Sequence, residues 1–181
     1  MSKIKVNLQV DLMRIISIFA EQLFSFHYDS EKDNEYDRLM DLWTDAGYLQ
    51  SYAISNKVSD VYGFIDDVSE DAEQIQDFLE NISQNNQPYG FYFEALQESE
   101  RKKPLSFQKG KIIKNRLRFY AIKLEDNCFV ITGGAIKMSQ QMQDHPDTDK
   151  ELKKLSKARN YLSQNGVFDE DSFFELLNEN I

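Results

Sequence analysis

Apolar residues along this chain change their spacing several times, and each change marks an element. Ile4, Val6, Leu8 and Val10 alternate with polar residues at the period of two expected of a half-buried strand. Leu12, Ile15, Ile16, Phe19 and Leu23 then fall at helical spacing, yet Ile15, Ser17 and Phe19 still alternate, so residues 11–22 read as helix or strand alike. Leu23-Phe24-Ser25-Phe26-His27-Tyr28 predicts a strand, because aromatics suit a pleated surface, and the polar tract from Asp29 to Asn34 ends it. Tyr36, Leu39, Met40 and Trp43 recur at i, i+3, i+4 and i+7. A second set, Tyr48, Leu49, Tyr52 and Ala53, follows Gly47, and together they predict two short amphipathic helices.

Ser69, followed by Glu70 and Asp71, has the chemistry of a helix N-cap, and Ala72, Ile75, Phe78, Leu79 and Ile82 supply the buried stripe of the helix it would start. That helix fades in the Asn/Gln-rich stretch from Ser83 to Pro88. Phe93, Leu96 and Gln97 allow a further helical piece within 91–100 without requiring one. Beyond Pro104 the pattern turns to strands: short apolar pieces around Gly110, the run Arg116 to Leu124, a turn at Glu125-Asp126-Asn127, and Cys128 to Thr132, the clearest hairpin in the chain. Gly133-Gly134 is expected to turn the backbone sharply into a short helix at Ile136-Lys137-Met138. Thr148-x-x-Glu151 has the form of a capping box ahead of a helix carrying Leu152, Leu155, Ala158 and Leu162. Asn165-Gly166 should stop that helix, and a last one over about 170–178 buries Phe173, Phe174 and Leu177.

The fold expected from this order is α+β: an antiparallel twisted sheet flanked by helices, with an acidic, largely helical N-terminal addition. At 181 residues with 41% hydrophobic content, a single domain over 1–181 is the natural reading. Within it, 30–100 forms the acidic, mostly helical insertion and 101–165 a basic strand–hairpin–helix segment. Charge sharpens that division. Residues 1–100 carry 6 Lys+Arg against 20 Asp+Glu (−14), residues 101–165 carry 15 against 6 (+9), and residues 166–181 carry none against 5 (−5). No stretch approaches the roughly 20 apolar residues of a membrane span, and 1–10 lacks the continuous apolar core of a signal peptide, so no membrane partner is expected. The lone Cys128 sits in an apolar run, as a small buried hydrophobe would, and a cytoplasmic location is the simplest expectation.

The basic segment also holds the candidate chemistry. Alternate residues of a strand share a face, so Arg116, Arg118 and Tyr120 should project together while Leu117, Phe119 and Ala121 point the other way. Two guanidiniums offer planar donor forks to phosphate, and a tyrosine ring can stack on an unpaired base. The alternative is a solvated face whose arginines pair with the acidic first half. Backbone N–H groups at Gly133-Gly134 and the ammonium of Lys137 could meet the same anion, although the sequence lacks the G-x-x-x-x-G-K-[ST] of a phosphate-binding loop. His27 and His145 are the only histidines. His145, in Asp144-His145-Pro146-Asp147, is the candidate general acid or base, His27 reads as structural, and no metal-ligand spacing or cofactor motif is present.

The succession Arg116-Leu117-Arg118-Phe119-Tyr120, turn, Cys128 to Lys137, then a charged helix from Asp149 to Tyr161, resembles the C-terminal half of RelE/HigB-type toxins over about 50 of the 181 residues. The resemblance implies a metal-free mRNA endoribonuclease of a toxin–antitoxin system, or a descendant of one, often acting on the ribosome and restrained by a cognate antitoxin protein. By position Arg118 matches the family's strand arginine and Lys137 its lysine after the second strand. Tyr120 and His145 are neighbouring catalytic candidates, and Arg116 and Tyr161 neighbouring RNA-binding ones. The chain departs from the family in length and in its acidic addition, which would repel RNA or cover the basic face. The competing expectation is a non-catalytic protein-interaction module of mobile-element origin whose acidic half binds a basic partner.

Overall fold

The computed structural model describes residues 13–19, 22–138 and 146–179. The alternating pattern before Leu23 lies partly outside these residues, but its end is settled: Arg14–Phe19 is a strand, β1, pairing antiparallel with β2 (Leu23–His27) from Arg14 opposite His27 to Phe19 opposite Leu23. Three helices follow. Asn34 caps α1 (Glu35–Trp43) by accepting from the Asp37 N–H at 3.1 Å, and Asp45 caps α2 (Ala46–Ser55) through the Tyr48 N–H at 2.8 Å. The third, α3 (Val61–Gln84), begins before the expected Ser69. Its N-cap is Asp60, which accepts from the Gly63 N–H at 3.0 Å. Phe64, Val68, Ala72, Ile75, Leu79 and Ile82 form one unbroken buried stripe, so Ser69 lies inside the helix and does not start it.

The chain then lays down β3 (Phe93–Ala95), where a helical piece was admissible, β4 (Ser106–Gly110), β5 (Leu117–Glu125) and β6 (Cys128–Ile136). It finishes with α4 (Pro146–Gln164) and α5 (Glu170–Glu179). Gly166, at φ +78°, ends α4 as expected, since a left-handed residue there halts the helix. The six strands make one sheet in the order β1-β2-β6-β5-β4-β3. The α+β class holds, with one difference from the antiparallel expectation: β2 and β6 run parallel, Leu23 opposite Phe129 and Ser25 opposite Ile131.

Both faces of the sheet are covered. Leu117, Phe119, Ala121, Phe129 and Ile131 pack beneath α1, α2 and α3. Tyr120, Ile122, Leu124, Cys128 and Val130 pack beneath α4 and α5. Every residue of β6 is buried, as a strand covered on both faces requires. Gly133 and Gly134 lie inside this strand, opposite Tyr120 and Phe119, and make no turn; Ile136 is still strand, so no helix starts there. Their role is close approach. A Cβ on Gly134 would sit 2.6 Å from the Arg118 carbonyl oxygen and 3.0 Å from Leu39 and Trp43 of α1, and one on Gly133, on the other face, would strike the carboxylate of Glu151 on α4. The pair lets a helix from each layer settle onto the same two rungs.

Candidate functional site

Register fixes which side chains meet at the end of the sheet where β4 and β6 finish and β5 begins. Lys109 stands opposite Tyr120, and Arg118 opposite Ala135, all on the α4 face. The Lys137 N–H donates to the Arg116 carbonyl at 2.7 Å, continuing the ladder one residue past β6. Lys109, Lys111, Arg118 and Lys137 are thereby gathered at one corner. The Lys137 ammonium titrates below the ordinary lysine value, first through loss of solvent and then through repulsion by Arg118, Lys109 and Lys111. Glu94 on β3 answers part of this charge, at 2.9 Å from Lys111 and 3.9 Å from Lys109. The Arg118 guanidinium donates to the carbonyls of Asn115 at 2.5 Å and Leu117 at 2.9 Å, which fixes its position without neutralising it. Among the described residues no carboxylate forms an ion pair with Arg118 or Lys137.

The remaining residues singled out from the sequence go elsewhere. Arg116 is drawn toward α3, with Nη2 3.2 Å from Asp67 and Nη1 3.7 Å from Asp71, while Asp71 also accepts its backbone N–H at 3.0 Å. Tyr120 shares the face of Arg118, as alternation required, but that face is roofed by α4 and α5 and its ring is only 4% exposed. Burial pushes the phenol up to about 12. Tyr161, on α4, lies half-buried beside β1 and β2, its hydroxyl donating to the Met13 carbonyl at 3.4 Å and its ring edge-on to Phe26. His145 lies outside the described residues. Of the expected set, Arg118 and Lys137 are brought together, Tyr120 lies beside Arg118 on the same face but buried, and Arg116 and Tyr161 are drawn elsewhere. Cys128 is fully buried, with its thiol pushed up to about 12 by burial.

A second constellation, which the sequence reading missed, lies at the same end of the sheet, between β2 and β6. Pairing of these two parallel strands stops at Ser25 and Ile131, and the chain leaves β2 into α1 on one face and β6 toward α4 on the other. Tyr28 closes the floor of the gap by donating its hydroxyl to the Thr132 carbonyl at 2.5 Å. From α1, the fully buried Glu35 takes both forks of Arg38, at 2.7 and 2.8 Å. From α4, Lys154 reaches Glu35 at 3.0 Å and Glu151 at 3.3 Å. The Glu151 carboxyl is pushed up to about 7, chiefly by burial, with Glu35 adding to the rise and Lys154 and Arg38 opposing it. Its Oε2 has no hydrogen-bond partner among the described residues. A cavity of about 390 Å³ opens beside this cluster.

Neither Glu35 nor Glu151 stood out in the sequence, because each sits where a local explanation suffices: an acid in the first turn of a helix, and the last member of a capping box. In fact α4 starts at Pro146, so Thr148 is inside the helix, and Glu151 packs over Gly133 against the sheet. The signal that was present is a run of lysines at helical spacing, Lys150, Lys154 and Lys157. Among the described residues no group of three or more His, Cys, Asp or Glu is placed to hold a metal ion, and no helix is long and apolar enough to cross a membrane. No protein-family model, curated protein or solved structure matches the chain.

Proposed function

We propose that the chain binds RNA through its phosphodiester backbone, as a RelE/HigB-like toxin or a descendant of one, with Lys109, Lys111, Arg118 and Lys137 as the phosphate-contacting set. The observation that carries this reading is the crowding of three cations, Lys109, Lys111 and Arg118, around Lys137 against one exposed carboxylate, Glu94. Concentrated like charge of this kind is relieved when a polyanion replaces released counter-ions. In strand scission the same Arg118 and Lys137 would stabilise the charge that builds on the scissile phosphate. Tyr120, with a buried phenol titrating near 12, is poorly suited to move the proton at neutral pH. That task falls to His145 in this reading, so cleavage and binding are separable properties.

Anisotropy of a labelled single-stranded RNA, titrated at several salt concentrations, tests the proposal. The double variant Arg118→Ala/Lys137→Ala is expected to bind at least about tenfold more weakly, with a salt slope shallower by roughly 0.7 for each phosphate that is no longer neutralised. His145→Ala should keep the affinity and lose any scission seen on a gel. Equal affinity of the parent and the double variant would overturn the reading. It would favour the interaction module instead, for which α3 offers the outward-facing acids Asp66, Asp67, Glu70, Glu73 and Asp77 to a basic partner.

A further inference from the structure

We propose that the cavity just past the carboxyl end of β2, between α1 and α4 and beside the point where β2 and β6 part, is a second, separate binding site, for a small phosphomonoester of about mononucleotide size. Its place in the fold is the first reason. Where two adjacent parallel strands send their chains to opposite faces, their carboxyl ends part and leave a gap that neither helix layer fills, and open sheets bind ligands in such gaps. β2 and β6 are the parallel pair of this sheet, and α1 and α4 lie on opposite faces. The cavity measures about 390 Å³, within the range of sites for small organic ligands.

The lining supplies the second reason. Arg38 from α1 and Lys150, Lys154 and Lys157 from α4 converge on the cavity from its two sides. Arg38 and Lys154, the inner pair, are held in position by the buried Glu35, which leaves a guanidinium and an ammonium fixed before any ligand arrives. Lys150 and Lys157 stand at the exposed rim, as do the acids Asp29 and Glu31 opposite them. A terminal phosphate, with its dianionic charge and three acceptor oxygens, matches the Arg38 donors that Glu35 does not take together with several ammoniums better than a monocarboxylate does. Met13 and Tyr28 supply the apolar part of the lining, with Lys154 5.5 Å over the Tyr28 ring, an amphipathic wall suited to a sugar or base. The site does not depend on the RNA reading, since none of its residues belongs to the Lys137 corner.

Titration calorimetry of the full chain with inorganic phosphate, 5′-AMP and adenosine is the test. Saturable binding is expected for 5′-AMP, weaker binding for phosphate, and none for adenosine. Lys150→Ala/Lys157→Ala changes only exposed rim residues, so the chain should fold normally and bind 5′-AMP about tenfold more weakly, equal to about 1.4 kcal/mol. Lys109→Ala/Lys111→Ala, at the other corner, should leave 5′-AMP binding unchanged while weakening RNA. Absence of any saturable heat up to about 10 mM 5′-AMP, adenosine binding as well as 5′-AMP, or an effect of the Lys109/Lys111 change equal to that of the rim change would each overturn the proposal.

Discussion

The two helical layers cover opposite faces of one sheet and meet its charges in opposite ways. The layer of α1, α2 and α3 is acidic and captures cations that come within reach. Asp67 and Asp71 hold Arg116, and Glu35 holds Arg38 and, across the edge of the sheet, Lys154. The layer of α4 and α5 lies over the face that carries Arg118 and leaves it and Lys137 without a carboxylate among the described residues. Arg116 and Arg118, two positions apart, are thus a neutralised and an unneutralised copy of the same group. The helices of the acidic addition pack on the far face and reach the basic segment at Arg116 and Lys154, while its last part meets that segment through Glu94, on Lys109 and Lys111, and Glu100, on Arg159. What counts for an anion is which layer a cation ends up beside, more than the charge of the segment it belongs to.

The largest effect that separates the layers belongs to packing on the acidic side. Trp43 is 1% exposed, contacts Phe119 with ring centroids 5.0 Å apart, and sits where Gly134 gives it room. Trp43→Ala should cost about 3–5 kcal/mol in chemical denaturation, enough to loosen the whole α1–α3 layer. A cost under about 1 kcal/mol would mean that the layer is held by its charges instead.

The next effect belongs to the group where the layers touch. Folded Glu151 keeps its proton up to about pH 7, whereas an unfolded glutamate loses it near 4.5. Between those values the folded state binds more protons, so stability is fully present below pH 4.5 and falls as pH rises through 7. The loss is at most about 3 kcal/mol. Glu151→Gln should remove that slope, leaving the variant near parental stability at pH 5 and more stable than the parent at pH 8, as read from urea midpoints at the two pH values. A parental slope that persists in Glu151→Gln would show that it arises from another group and not from Glu151.

The smallest effect tests the Arg116–Arg118 contrast directly. Asp67→Asn/Asp71→Asn breaks partly exposed pairs and should cost no more than about 1–2 kcal/mol of stability. By releasing Arg116 it should also tighten single-stranded RNA binding and steepen the salt slope by up to roughly 0.7. If affinity does not rise, Arg116 is too far from the path of the backbone to contribute.

Local rules carried much of this in the sequence. Alternation through Leu117 to Leu124 placed Arg118 and Tyr120 on one face, and the turn at Glu125–Asn127 set the hairpin. Aromatic spacing gave α1 and α2, and Gly166 the end of α4. Misreadings arose where a residue had two physical uses. Gly133-Gly134 suits a turn and equally suits a strand that two helices must approach closely, and only packing separates these. Ser69 and Thr148 have cap chemistry, but a cap acts only where a helix begins, and both helices begin earlier.

Sequence by itself therefore determined α1, α2, the β5–β6 hairpin with its two faces, and the division into acidic and basic stretches, because periods of two and 3.6 and the chemistry of turns act within a few residues. Tertiary structure alone decided that Tyr120 is buried, that Arg116 is neutralised and Arg118 is not, and that Glu35 meets Lys154 across 119 positions. Burial and ion pairing depend on what covers a face, and for this sheet the covers come from helices encoded before β3 and after β6.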